Sequence, residues 1–335
     1  MKNNGFDSVG MRRRWLAAGA AVPALAWMGA LHAQANAPVV IGWLGAATRD
    51  ADRNQLNAFN EGMAALGWKM GAQYVLEARH ADGYPERLPA LALELAAKKP
   101  AVIVATLTPP AKAAAAAAPT TPVVMANGDP MSSGLVASLA PPGGLITGVS
   151  NVTRETSLKV IELLAEVLPR LKRVGFLADS KIPRYVDIVS NARRVAERFR
   201  LEAVIVDIAA PQDIEPAIAR LAKAKIQTLV ILPSTWFSSH LSNIIQLAMA
   251  QRWPVVGNLS AIPSQGGLFT FGADTLALAR RSAHYVDRIL KGAKPGELPI
   301  EQPTTFRFAI NMKTAKTLGI TIPPSVLIRT TEVIE

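Results

Sequence analysis

From residue 39 onward, short apolar runs alternate with longer stretches in which apolar residues recur every three or four positions. Residues 39–44 (VVIGWL) form the first run, continuous enough for a strand buried on both faces. Residues 53–66 place Leu56, Phe59, Met63 and Leu66 at helical spacing, and Gly67 closes that helix. The alternation predicts a strand at 74–78, a helix at 85–98 with Leu88, Leu91 and Leu95 on one face, a strand at 101–106, an Ala-rich helix at 111–118 and a strand at 123–126. Beyond Gly148 it restarts with helix 155–168, strand 174–178, helix 185–199, strand 203–207 and helix 214–224. Strand 229–232, helix 240–251 and strand 255–257 follow, then a crossing segment at 268–272, a long helix at 275–291 and a last strand at 305–310.

Strands alternating with helices imply parallel sheets covered by helices on both faces. Two such runs predict an α/β fold of two Rossmann-like lobes with parallel sheets joined by a multi-strand hinge. The breaks fall at Pro141-Pro142-Gly143-Gly144 and at Gly266-Gly267. The expected division gives 36–148 and 268–300 to the first lobe, and 149–267 and 301–335 to the second. Closure is expected about crossings near Gly148 and Gly267.

The first 35 residues have a different pattern. Arg12, Arg13 and Arg14 precede an apolar stretch over 15–31, and Ala33-Gln34-Ala35 is a small-x-small exit. Charged start, apolar middle and small-residue exit are the parts of a secretory signal, so cleavage near Ala35 and an exported mature chain are expected. An uncleaved anchor is the alternative. The Arg12–Leu16 segment is also similar to a twin-arginine motif, which leaves the export route open. No later segment has 18 uninterrupted apolar residues, so no stable membrane insertion of the mature chain is expected.

Composition adjusts the picture in three ways. The formal charge is +11, of which residues 1–35 carry +3 (four cations against Asp7), leaving +8 to the remainder. The cations are scattered rather than gathered into a run, so a nucleic-acid partner is not expected. There is no cysteine, which removes disulfides, thiol catalysis, thiolate metal sites and a lipidated N-terminal Cys.

In open parallel sheets, ligands sit at the carboxyl ends of the strands. The loops there supply small polar residues suited to binding a small molecule: Ala46 and Thr48, Thr106 and Thr108, Asn127 and Asp129, Asn151, Asp179 and Ser180, Ser234 and Thr235, Asn258 and Ser260. Each is alternatively a helix cap. Trp43 lies at the end of the first strand and Trp236 follows strand 229–232, and the two are candidates to sandwich a planar or apolar ligand, the alternative being core packing for Trp43 and a helix-end cover for Trp236. For an amino-acid ligand, Asp129 or Asp179 would meet the ammonium group, and Arg49, Arg154 or Arg184 the carboxylate. Catalytic signatures are missing: no H-E-x-x-H, no G-x-S-x-G, and a Gly143–Gly148 stretch that lacks the Lys-Ser/Thr ending of a phosphate loop. No enzyme activity, metal or cofactor is therefore expected.

The C-terminal third carries a further signal. Residues 290–295 (LKGAKP), 298–303 (LPIEQP), 311–325 (NMKTAKTLGITIPPS) and 329–335 (RTTEVIE), together with Phe271-Gly272-Ala273-Asp274 and Gly148-Val149-Ser150, resemble the ABC-transporter substrate-binding family of the type I periplasmic fold. That family includes tryptophan/tyrosine-type binding proteins. The resemblance implies a two-lobe clamp with a small-molecule ligand, possible amino acids among them being aromatic or branched. It also implies docking to an ABC permease and an ATPase on separate chains. Lacking a Cys to lipidate, the chain is expected to be free in the periplasm. Competing readings are a ligand-sensing module for a membrane signalling partner and an exported enzyme. A lactose-repressor-like regulator would need a helix-turn-helix where this chain has its export signal.

Overall fold

The computed structural model describes residues 37–335, apart from 132, 152, 183, 184 and 235 and the side chains of 153–155. The expected export leader and its exit at Ala35 lie outside the described residues, as do Thr235, Arg184 and the Arg154 side chain.

The first half builds a five-stranded sheet from β1 (Val39–Gly45), β2 (Tyr74–His80), β3 (Val102–Ala105), β4 (Val123–Met125) and β5 (Ile146–Gly148), in the order β2-β1-β3-β4-β5. Every pairing in it is parallel. Strands β3 (VIVA) and β4 (VVM) are buried throughout, as continuous apolar runs in a sheet covered on both faces must be. Helices α1 (Arg49–Ala65), α2 (Leu88–Ala97) and α3 (Thr108–Ala117) cover it. The Gly143–Gly148 stretch contributes the edge strand β5, so it is neither a phosphate loop nor merely a linker.

The second sheet has seven strands: β6 (Arg173–Asp179), β7 (Glu202–Ile208), β8 (Thr228–Ile231), β9 (Val255–Gly257), β10 (Phe269–Ala273), β11 (Phe306–Asn311) and β12 (Glu332–Ile334). Their order is β12-β11-β10-β9-β8-β6-β7, parallel except for the antiparallel β10–β11 pair. Helices α4 (Thr153–Val167), α5 (Tyr185–Arg198), α6 (Ile214–Lys223) and α7 (Phe237–Ala250) connect or cover its strands. Helix α8 (Thr275–Leu290) returns to the first sheet and lies along α1. Their contact is close because Gly62 has no side chain: a Cβ there would stand 2.8 Å from both the Ala283 Cβ and the Arg280 carbonyl oxygen. Short helices α9 (Met312–Leu318) and α10 (Pro324–Leu327) complete the second lobe. Pro38–Glu335 is one compact unit, and among the described residues no helix is long and apolar enough to cross a membrane.

One expected boundary moves. The sequence pattern gives residues 268–272 to the first lobe as a crossing segment, yet Phe269–Ala273 is strand β10 of the second sheet, between β9 and β11. The reason is apolar pairing. Phe269 lies opposite Ile310 and Phe271 opposite Phe308, and the Phe269 and Phe308 rings meet edge to face at 5.9 Å. Gly266-Gly267 is accordingly a turn within the second lobe, not a hinge. The crossing comes at Asp274, which caps α8 by accepting from the backbone N–H groups of Leu276 and Ala277, each at 3.0 Å.

The chain also crosses after Gly148 and again after Glu301, and these two passages are bonded together. Ser150 N–H donates to the Glu301 carbonyl at 2.8 Å, and Glu301 N–H to the Gly148 carbonyl at 3.0 Å. Arg281 of α8 grips the Glu301 carboxylate with two hydrogen bonds of 2.7 and 2.6 Å. That guanidinium holds the Glu301 carboxyl below its ordinary value of 4.5, against the opposing effect of partial burial. A carboxyl with a lowered folded-state pKa contributes stability that is complete above its ordinary pKa and is lost as pH falls through the folded value. The melting temperature of the native chain should therefore drop more steeply on acidification below pH 4.5 than that of Glu301→Gln, a comparison that calorimetry over an acid pH series would make.

Helix ends in the second lobe carry an unusual residue choice. The positions after α5, α6 and α7, where the backbone turns left-handed and glycine is usual, hold Arg200 (φ 58°), Lys225 (φ 54°) and Arg252 (φ 59°). The cost of that conformation outweighs the entropy lost by glycine and the attraction of a cation to a helix C-terminus. Replacing all three with glycine should raise stability by about 1 kcal/mol, measured by chemical denaturation.

Candidate functional site

A cavity of about 240 Å³ opens at the carboxyl ends of the strands of both sheets. Its two sides differ in chemistry. The first lobe offers Thr108 at the start of α3 and Gly128, Asp129 and Ser133 from the loop after β4, with Leu107 and Pro109 beside them. The second lobe offers an apolar wall: Val160 and Ile161 of α4, Phe176 of β6, Ile188, Ala192 and Val195 of α5, and the Val230–Pro233 stretch of β8. Asn151 lies between, on the first crossing, and the second lobe also supplies the polar side chains of Ser157, Asp187, Asn191, Ser234 and Asn258.

The polar side is held in place by its own backbone. Thr108 Oγ1 accepts from Asp129 N–H at 3.0 Å, which fixes the loop against α3. Gly128 has φ +143°, and a Cβ there would stand 3.0 Å from Thr108 N and Oγ1 and 2.5 Å from the Met125 methyl, so only glycine permits this approach. Asn151 is bonded to the same loop twice. Its N–H donates to the Gly128 carbonyl at 2.7 Å, and its amide nitrogen donates to Asn127 Oδ1 at 2.9 Å. The crossing segment and the first-lobe loop thus present one rigid polar surface.

On the other side, Asp179 is buried at the end of β6 and accepts from the Ser234 hydroxyl at 2.7 Å and from Lys181 N–H at 3.0 Å. Ser234 Oγ in turn accepts from the N–H groups of Trp236 and Phe237 at 3.1 and 3.4 Å, capping α7. Asp179 is therefore a positioning residue for the β8 loop. It is not among the cavity-lining residues.

Of the residues singled out from the sequence, Thr108, Asp129, Asn151, Ser234 and Asn258 line the cavity, and Asn127 and Asp179 stand behind them. The tryptophan sandwich does not form. Trp43 is fully buried in the core of the first lobe, its ring 5.6 Å from Phe59 of α1. Strand alternation decides this, since residue 43 points to the face that α1 and α8 cover. Trp236 is 4% exposed and turns back into the core of the second lobe, its ring 4.7 Å from Phe237 and 5.5 Å from His240. Burial there pushes the His240 imidazole below its ordinary value of 6.5.

Five further candidates serve structure. Thr48 caps α1 by accepting from Ala51 N–H at 3.3 Å. Ala46 is buried, and its carbonyl accepts from Gly83 N–H at 2.8 Å. Thr106 is buried, with its N–H on the Leu44 carbonyl. Ser180 bonds through both N–H and hydroxyl to the Ile208 carbonyl, and the Ser260 carbonyl accepts from Arg307. Arg49 is exposed at the start of α1. What sequence reasoning missed is the apolar wall. Ile188, Ala192 and Val195 form an i, i+4, i+7 stripe, and nothing in such a stripe separates a pocket wall from ordinary core.

Comparison with known proteins bears on the fold and the family. Residues 46–334 match the family of ABC transporter substrate binding proteins. A "Tyrosine-binding protein" of Clostridioides difficile is 25% identical over 263 residues, covering 78% of this chain and 75% of that one. A solved ABC domain from Streptococcus pneumoniae, in complex with L-Trp, superposes with a TM-score of 0.82 at 26% identity, over 89% of this chain and 100% of the other. A conserved domain protein from Vibrio cholerae gives the same TM-score of 0.82 at 26% identity, over 88% and 99%. The fold of two sheets with a lined cavity at their carboxyl edges is thus the periplasmic binding protein fold, and the chain belongs to the ABC transporter substrate binding protein family, whose work is to bind a solute and not to transform it.

Proposed function

We propose that this chain is an exported receptor of an ABC importer that captures an amino acid with a large apolar side chain, aromatic or branched, in the cleft between its lobes. The observation that carries this reading is a cavity that joins a continuous apolar wall to polar groups from both lobes. An apolar wall from α4, α5 and β8 receives the side chain, and the polar loops around Thr108, Asp129 and Asn151 receive the backbone groups. The tyrosine-binding and L-Trp-bound relatives support the same class of ligand.

The mechanism is closure. A ligand that touches both lobes has more contacts when they are shut, and it shifts the equilibrium by that difference in affinity alone. The passages after Gly148, at Asp274 and after Glu301 are the hinge. In this reading the leader directs export and is removed near Ala35. The mature chain, without a cysteine to lipidate, is free in the periplasm and delivers its ligand to a permease and an ATPase on separate chains.

Thermal melting of residues 36–335 against a panel of amino acids, nucleosides, sugars and small carboxylates tests the reading. A true ligand at about 100 times its dissociation constant adds about 2.7 kcal/mol. Stabilisation by tryptophan, tyrosine, phenylalanine or a branched amino acid, with a smaller radius in solution scattering, is the expected result. Stabilisation by a sugar or nucleoside, with no response to any amino acid, would overturn it.

A further inference from the structure

The amino edge of the second sheet, opposite the cleft, has a charge pattern that ligand capture does not use. Strands β6, β7, β8 and β9 run parallel, so the loops that precede them share one edge. Those loops touch. Glu202 N–H donates to the Lys172 carbonyl at 2.8 Å, Gln227 Oε1 accepts from the N–H groups of Lys172 and Arg173 at 2.8 and 3.0 Å, and Arg173 Nη1 donates to the Ala224 carbonyl at 2.6 Å. Around them stand seven exposed cations: Arg170, Lys172, Arg198, Arg200, Lys223, Lys225 and Arg252. The acidic residues of these loops are Glu197 and Glu202, and Glu202 is engaged by Arg173. The matching edge of the first sheet carries Lys69, Lys98 and Lys99.

Three of the seven cations, like Lys99 on the first-sheet edge, sit in left-handed positions where glycine is usual, so charge is kept there at a local conformational cost. Among the described residues, no exposed aromatic side chain accompanies them on this edge. A specific protein interface is usually anchored by buried aromatic or apolar side chains. A broad array of flexible cations without an anchor suits a diffuse anionic surface.

We propose that this basic pole adsorbs the protein to an anionic phospholipid bilayer. Because the pole lies at the amino ends of the strands and the cavity at the carboxyl ends, adsorption leaves the cleft facing solvent and able to take up ligand. The attraction is electrostatic, screened by salt and independent of ligand.

Residues 38–335 would be sedimented with vesicles of phosphatidylglycerol and phosphatidylethanolamine, and with vesicles of phosphatidylcholine alone. Binding to the anionic vesicles at low salt, its loss at high salt and no binding to phosphatidylcholine are expected. The triple variant Arg200→Gly, Lys225→Gly, Arg252→Gly should bind at least about tenfold more weakly, since each cation near the surface contributes separately. Its melting temperature should not fall, which separates lost binding from lost folding. Removing Lys69, Lys98 and Lys99 takes away the same charge and should leave binding close to that of the native chain. No sedimentation with anionic vesicles would overturn the proposal. So would undiminished binding by the triple variant, or an equal loss in the first-lobe variant, which would make net charge the cause. Displacement by poly-glutamate at a lower charge concentration than anionic vesicles need would reassign the pole to an acidic protein partner.

Discussion

Gly148→Ala is expected to destabilise the protein by about 4 kcal/mol, a large share of the roughly 5–15 kcal/mol that holds a typical domain folded. Gly148 has φ +123°, a conformation that side chains rarely adopt, and a Cβ there would stand 2.2 Å from the Met125 carbonyl oxygen and 2.7 Å from its nitrogen. Both obstacles are backbone, which cannot rotate aside. They belong to β4, the register partner of Gly148 in β5, so relief means separating the edge strand from the sheet. The Gly148 carbonyl also receives Glu301 N–H at 3.0 Å, so the shift would reach the third passage between the lobes. Backbone strain and overpacking each contribute about 1–3 kcal/mol. Chemical denaturation would measure the loss. Gly144→Ala is the control, because a Cβ there meets nothing within 4 Å. A loss for Gly148→Ala below about 1 kcal/mol would show that β5 and its crossing tolerate rearrangement.

The second large effect is on binding. Ala192→Phe should weaken capture of whichever amino acid stabilises the native chain by at least about a hundredfold, since most of the apolar contact surface would be taken. Ala192 faces the cavity from the middle of α5, flanked one turn away on either side by Ile188 and Val195. A phenyl ring added there enters the cavity of about 240 Å³ and occupies the space proposed for the ligand side chain. Because that space is empty of protein atoms, the unliganded variant should remain folded, with a change in stability of less than about 1.5 kcal/mol. Titration calorimetry with tryptophan, tyrosine, phenylalanine and leucine would test this. Native-like affinity in the variant would place the ligand elsewhere in the cleft.

The two predictions rest on residues that were unequally visible in the sequence. Gly148 reads as a lobe crossing, because a small residue after a Pro/Gly-rich stretch and before a helical run signals a boundary. Ala192 is, in the sequence, only one position of a helix. The polar loop residues Thr108, Asp129, Asn151, Ser234 and Asn258 were legible, since a parallel sheet presents its carboxyl-end loops to a ligand. Trp43 and Trp236 were misleading for a related reason. Trp43 stands inside β1 and Trp236 directly before α7, and a side chain's direction there depends on pleat and on how a loop turns, which spacing along the chain does not encode. Thr48 and Ser234 show the same limit in another form, because a hydroxyl suited to a ligand is equally suited to a helix N-terminus.

By itself, the sequence determined the α/β alternation and the two parallel sheets, because burial on both faces requires continuous apolar strands and one-sided helices, and both periods are local. It also carried the family, through the segments near the C-terminus. Only the tertiary structure decided that Phe269–Ala273 joins the second sheet, because its aromatic partners come from β11, some forty residues away. Only the tertiary structure separated the pocket wall of α4 and α5 from the core around it. An apolar side chain facing a cavity and one facing a neighbour satisfy the same pattern, and the difference lies in whether another element fills the space opposite.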